Sequence, residues 1–207
     1  MFKSYLMENF GYNEPIFLSD LSVEELSENV IRQSLESLCS DGFLEKYDNG
    51  IYYIPKQDRL LGKSYLDPFL VILRKYVQNK SEIFGYMTGI SFANQLGLTT
   101  QVPAVIEIVT NCEVTNGCML MVGNQKVRVK QSVITIDNAN AELLQFLDAI
   151  SQAEKNTELS MQETIEIFHS YAKQKHFTKK QLSEVSSVLI GAVEKKLIEW
   201  KILYEFE

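Results

Sequence analysis

The chain has 207 residues, 45% hydrophobic and 23% charged, with a formal net charge of -7. That length holds one large domain or two to three small ones, and it buries a core without disulfide or metal staples. No apolar run reaches the roughly 18 residues of a membrane span, the opening MFKSYLMENFGYNEP lacks the apolar core and cleavage site of a signal peptide, and the acidity opposes nucleic acid and anionic membrane on average.

The first ten residues pattern as a short helix with Phe2, Tyr5, Leu6 and Phe10 on one side, broken by Gly11, Asn13 and Pro15. A short extended piece follows at Pro15–Phe17, then a first helix from Leu18 to Leu26. Ser22 and Glu25 also form a capping-box pattern, which admits a single helix over 23–40 instead. A break near Ser27 is preferred, because Ser27 can cap the residues that follow it. From Asn29 to Lys56 the sequence predicts an amphipathic helix, a left-handed exit and a hairpin. Ile31, Leu35 and Leu38 recur at helical spacing, Gly42 ends the helix, Phe43 and Leu44 open a strand, and Asp48-Asn49-Gly50 is a tight-turn signal before Ile51–Ile54 and Pro55. Helix plus hairpin is the outer half of a winged helix-turn-helix, a shape that places a helix in a DNA groove. Its charge runs the other way: residues 18–56 hold three basic and eight acidic side chains.

After a connector over 56–66, Asp67-Pro68 starts a helix with Phe69, Ile72, Leu73, Tyr76 and Val77 on its apolar side. A second helix is expected from Glu82 to Leu96, ending at Gly97 and placing Gly85 and Gly89 on one face. Ala104–Val109 reads as a buried strand, Cys118–Val122 and Lys126–Lys130 as a hairpin around Gly123-Asn124, and Ser132–Ile136 as another strand. Ala141–Ala153 is helical, and capping boxes at Ser160/Glu163 and Thr178/Gln181 open two further helices, the second carrying Leu182, Val185, Leu189, Ala192 and Leu197. The expected fold class is α+β, an N-terminal winged helix-turn-helix followed by a mixed α/β domain with C-terminal helices. The expected divisions are 1–62, 63–155, and 156–207 as a helical pair packed on the middle domain. Residues 1–62 carry five basic and eleven acidic residues, so nearly all the net acidity sits there.

The segment from Gly85 through Tyr86, Gly89, Leu96, Gly97, Leu98, Thr99, Gln101 and Val102 to Pro103, followed by a strand ending at Thr110-Asn111, resembles the AbiEi family, as does the passage from Ile136 to Ala149. These are antitoxins of type IV toxin–antitoxin, or abortive infection, systems, and the resemblance covers roughly residues 12–150. It implies a winged helix ahead of this segment and a cytoplasmic autorepressor that binds the promoter DNA of its own operon. It also implies that the C-terminal part counters a nucleotidyltransferase-like toxin without a stable complex. Winged helices often bind paired half-sites, so a homodimer is a further expectation.

The residues expected to face DNA are Asn29, Arg32 and Gln33 on the helix, whose side chains can read guanine or adenine edges, with Lys46, Tyr52 and Lys56 around the hairpin as phosphate contacts. Arg32 also sits four residues from both Glu28 and Glu36, so surface ion pairs are its structural alternative. Tyr52 is alternatively a packed ring. Lys126, Arg128 and Lys130 alternate with Val127 and Val129, giving a candidate phosphate or partner surface. The preferred alternative is the solvated face of an edge hairpin. Lys173, Lys175, His176, Lys179 and Lys180 cluster at a helix end, where positive charge is favourable. His169 and His176 lack metal-ligand spacing, no P-loop, dinucleotide glycine pattern or Ser-His-Asp order appears, and no cofactor or enzymatic chemistry is nominated. Cys39, Cys112 and Cys118 fit reduced cytoplasmic thiols better than a disulfide frame. The acidity of residues 1–62 supports a second reading, a protein-interaction module that keeps the winged-helix shape without DNA.

Overall fold

A computed structural model of the chain describes residues 2–21, 26–58, 62–112, 117–186 and 191–207. The fold is α+β, in two compact units, Met1–Arg74 and Lys75–Glu207. Among the described residues no helix is long and apolar enough to cross a membrane.

The first unit opens with α1 (Phe2–Asn9), which buries Leu6, and β1 (Ile16–Phe17). A single 3-10 turn, Leu18–Asp20, follows, and Leu21 is already extended (φ -89°, ψ 97°), so the helix expected from Leu18 does not start there. Residues 22–25 of that expectation lie outside the described residues, and its last residue, Leu26, is not helical. Helix α2 (Glu28–Ser40) begins where Ser27 is extended (φ -72°, ψ 156°), which rules out one continuous helix over 23–40; the Ser27 side chain makes no capping bond. Ile31 and Leu35 of α2 are buried, and each contributes about 1.5–3 kcal/mol relative to an exposed position. Gly42 (φ +72°) ends α2. Its N–H donates to the Cys39 carbonyl at 3.0 Å and the Phe43 N–H to that of Leu38 at 3.0 Å, the paired bonds of a Schellman motif.

That motif turns the chain into β2 (Glu45–Asp48), two residues later than the expected start, and β3 (Ile51–Tyr53). The two are antiparallel, with a register shift between Lys46 and Asp48. β1 pairs antiparallel with the far side of β3, giving the sheet order β1-β3-β2. Leu6, Ile16, Ile31, Leu35, Leu44 and Tyr52 are among the residues of one core between helices and sheet. A two-residue pairing of β4 (Gln57–Asp58) with β5 (Gly62–Lys63) follows, and α3 (Pro68–Tyr76) starts as expected, with the Phe69 N–H donating to the Asp67 carboxylate at 2.9 Å.

In the second unit the expected helix over 82–96 is two elements, β6 (Gly85–Thr88) and α4 (Gly89–Gln95). The reason is tertiary. Gly85–Thr88 pairs in full with β7 (Val105–Thr110), and Gly85 lies so close to the main chain that a Cβ would fall 2.1 Å from the Tyr76 carbonyl oxygen. The ladder overrides the helical spacing of the two glycines, which therefore do not share a helix face. α4 starts at Gly89 (φ +63°) and ends at Gly97 (φ +77°) in a second Schellman motif. There the Leu98 N–H donates to Ala93 at 2.9 Å and the Gly97 N–H to Asn94 at 3.0 Å.

β8 (Cys118–Val122) and β9 (Gln125–Gln131) form the expected hairpin, and β9 pairs parallel with β7, so the sheet order is β6-β7-β9-β8. Ser132–Ile136 is not a strand, because β7 runs out at Thr110. Instead the Asn111 side chain takes over, accepting from the Ile136 N–H at 2.8 Å and donating to its carbonyl at 2.7 Å. Helices α5 (Ala141–Asn156) and α6 (Met161–Lys175) follow, then α7 (Lys179–Glu184) and α8 (Gly191–Glu199), in place of one helix after Thr178; the expected core residue Leu189 lies outside the described residues. Both capping boxes form: the Glu163 and Gln181 N–H groups donate to Ser160 and Thr178 at 3.3 and 3.1 Å. One core runs from Ala93 through Phe146 and Phe168 to Phe206, so the C-terminal helices and the earlier part of this unit are built around the same apolar cluster.

Adding a methyl group separates the two kinds of glycine. Gly85→Ala drives a Cβ into backbone that cannot yield and costs about 3 kcal/mol or more. Gly97→Ala meets no atom within 4 Å and costs about 1 kcal/mol, from its left-handed φ alone. Urea midpoints of the two variants measure the difference; equal costs contradict the packing described.

Candidate functional site

The outward face of α2 is the first candidate. With Ile31 and Leu35 turned into the core, Asn29, Arg32, Gln33 and Glu36 are exposed. Arg32 is not an isolated cation: its Nε and Nη2 donate to Glu28 Oε1 at 3.2 and 2.6 Å, one of the two ion pairs its spacing allows. Both partners are more than half exposed, so the pair contributes at most about 1 kcal/mol and can be exchanged for another anion. Lys46 and Lys56 are exposed on the hairpin and just after it. Tyr52 is not on this surface. At 8% exposure it belongs to the core, which corrects its placement among phosphate contacts. Glu45, next to Lys46, is held by Lys63 at 2.5 Å.

The Lys126, Arg128 and Lys130 side chains share one face of β9, opposite fully buried Val127 and Val129. The β8–β9 hairpin does lie at one edge of the sheet, with β8 as the outermost strand and β9 one strand in, between β7 and β8. Glu107 on β7 sits within the cationic strip, accepting from Arg128 at 2.7 Å and facing Lys130 at 4.0 Å. On the other side Met119 and Met121 of β8 pair with Arg128 and Lys126 and are 48% and 60% exposed. The basic residues around the turn from α6 to α7 are partly spoken for: Lys175 by Glu142, His176 by Glu207 and Lys180 by Glu184. His169 bridges α6 to the C-terminus, with Nδ1 3.0 Å from Glu205 and Nε2 2.7 Å from the Trp200 carbonyl.

The Leu96–Gln101 loop after α4 grips the junction of α5 and α6. The Glu158 carboxylate accepts from the Thr100 N–H at 2.8 Å, the Thr100 hydroxyl at 3.2 Å and the Gln101 amide at 2.9 Å, while its own N–H donates to Leu98 at 2.8 Å. These donors, the Thr100 N–H first, hold its pKa down at about 2 from an ordinary 4.5. Asn94 ties the same loop from inside, donating to the Thr99 and Gln101 carbonyls, each at 3.2 Å.

Sequence reasoning missed a groove of about 930 Å³ between α4, α5 and α6. Its signal was the breadth of apolar positions on α6. Thr164, Phe168 and Ala172 form the buried stripe, and Ile167 and Tyr171 fall beside it, half-buried. Burial, and then Glu142, pushes the Tyr171 hydroxyl up to about 12, so it is a neutral donor at physiological pH.

An α+β chain of two units, with an exposed polar helix face on one and a helix-lined groove on the other, is the class this geometry defines. The chain belongs to a family of unknown function (DUF6088), whose profile matches residues 13–177, a span that includes α2, its hairpin, the four-stranded sheet and α6. No curated protein matches it.

The Glu158 clamp has a pH signature. Because the folded pKa is depressed, its stabilisation is complete above an ordinary carboxylate pKa of 4.5 and is lost as pH falls through about 2. Wild type is expected to exceed Glu158→Gln in stability above that window, with the gap closing inside it. A Glu158 carboxyl that titrates near 4.5 by NMR contradicts the clamp.

Proposed function

We propose that this protein is a DNA-binding regulator of the antitoxin type. Its first unit acts as a winged helix on the promoter DNA of its own operon, and its second unit counters a nucleotidyltransferase-like toxin. The observation that carries the reading is the order of elements in the first unit. A winged helix runs helix, short strand, helix-turn-helix and hairpin, with the first strand beside the last. α1, β1, α2, β2 and β3 follow that order, and the sheet order β1-β3-β2 supports it. The first helix of such a motif, expected over Leu18–Leu26, lies in part outside the described residues. α2 would be the helix that enters the groove, with Asn29, Arg32 and Gln33 at base edges, Lys46 and Lys56 at phosphate. The antitoxin part rests only on the resemblance of Gly85–Pro103 and of Ile136–Ala149.

One observation favours a second reading. The unit carries seven basic and twelve acidic residues over 1–74, and its helix arginine is paired with its own glutamate. A protein-interaction module would need no more than this.

DNA from upstream of the gene separates the readings by fluorescence anisotropy. On the regulator reading the full chain binds at low salt, with affinity falling steeply as salt rises. Arg32→Ala weakens binding by about 1–3 kcal/mol and relaxes sequence preference. Glu28→Gln tightens it by about two- to fivefold, by freeing Arg32 from a surface pair. Absence of binding at low salt removes the regulator reading. In-cell repression unchanged by Arg32→Glu with Lys46→Glu favours the interaction module.

A further inference from the structure

The groove of the second unit is built from none of the elements proposed to read DNA, and its lining points to a different ligand. α4 and its C-cap supply Phe92 and Leu96 to it, four residues apart, and α6 supplies Ile167 and Tyr171, also four apart. Residues at that spacing stand one above the other on a helix, so each wall carries a short apolar step, flanked on α6 by Glu163 and Lys175. A third helix packs between such walls by setting its own side chains into the furrow, and an amphipathic helix laid in a groove is a recurring recognition mode. The walls are already rigid: the Tyr171 ring stacks on Phe146 at 5.6 Å and meets Phe92 edge-on at 6.0 Å.

The rim selects the charge of the occupant. Glu142, Glu163, whose carboxylate also accepts from Ser160, and Glu166 border the groove, and the one cation among its described lining residues, Lys175, is bound to Glu142 at 2.5 Å with its ammonium 5.6 Å from the Tyr171 ring centre. Three carboxylates against one ammonium leave a formal rim charge that is negative, which repels an acidic helix and attracts a basic one. The last helix of this chain is a poor fit. α8, which exposes Ile198, carries two glutamates and two lysines and so brings no net positive charge. The lining of α6 runs from Glu163 to Lys175, a rise of about 18 Å, or about three helical turns.

We infer that this groove docks a basic amphipathic helix of about three turns, supplied by a protein partner. Its affinity comes from apolar anchors seated between the α4 and α6 walls and its specificity from lysine or arginine set against Glu142, Glu163 and Glu166. The site is separate from α2 and its hairpin, so failure of DNA binding leaves this inference untouched.

The test uses the full chain and a fluorescein-labelled leucine–lysine peptide with leucines at i, i+3, i+4 and i+7. One control has the same composition in an order without the stripe, and another has glutamate for lysine. The striped basic peptide is expected to bind, the controls to bind at least about tenfold more weakly, and amide shifts to gather on Phe92, Leu96, Ile167 and Tyr171. Ile167→Glu should abolish the binding. Glu166→Lys, on the exposed rim and harmless to the core, should weaken it by about tenfold. The inference is overturned by any of four results: equal binding of the unstriped control, shifts gathered outside the groove, no effect of Glu166→Lys, or sedimentation showing a second copy seated over the groove.

Discussion

The architecture of the second unit depends on one close approach of main chain to main chain. Gly85 lies against the Tyr76 and Val109 carbonyls with no room for a side chain, and only this lets Gly85–Thr88 join the edge of β7 as a strand. Once β6 is fixed there, α4 must leave from its end, and it does so through the left-handed Gly89 beside the Glu107 side chain. The end of β6 is then tied to α5: Thr88 donates to Asp148, Gln152 donates to both at 3.0 Å, and the Gln145 amide reaches the Met87 carbonyl at 2.8 Å. The far end of α4 is tied in turn by the loop that holds Glu158. Sheet and helices are therefore joined at both ends of one short helix, and the groove between α4 and α6 is a consequence of that fixed spacing.

Much of the first unit was legible in the sequence because its signals are local. Ile31 and Leu35 at helical spacing, a left-handed glycine at 42 and Asp48-Asn49-Gly50 each act within a few residues, and each gives the expected piece of structure. The errors come from interactions distant in sequence. Glycines at 85 and 89 have helical spacing, but a ladder to residues 107–110 decides their conformation. Ser132–Ile136 has strand composition, yet a single asparagine side chain, Asn111, satisfies its backbone where a strand partner would have been. Tyr52 sits on a half-exposed hairpin by pattern and in the core by packing, because its ring joins the apolar cluster of Leu6, Ile16, Ile31 and Leu35. The basic alternation on β9 was visible, but its position inside the sheet was not, since a parallel pairing of β7 with β9 leaves no mark on either strand alone.

Shape and charge set the functional question. The exposed face of α2 offers side chains that suit base edges, on a unit whose acidic residues outnumber its basic ones. On the regulator reading this acidity lowers non-specific affinity for DNA, because every phosphate contact must offset nearby carboxylates. The Glu28–Arg32 pair then holds the arginine off the phosphate backbone until a base edge competes for it. The cationic strip on β9 is smaller than its three residues suggest, since Glu107 sits within it. The groove is a third and independent surface, negative where the strip is positive.

Hydrogen–deuterium exchange on the full chain, with and without DNA from upstream of its gene at low salt, tests the central claim most directly. The account predicts slowed exchange in α2 and the β2–β3 hairpin, and unchanged exchange in α6. Protection confined to residues 75–207, or absent throughout, would contradict it.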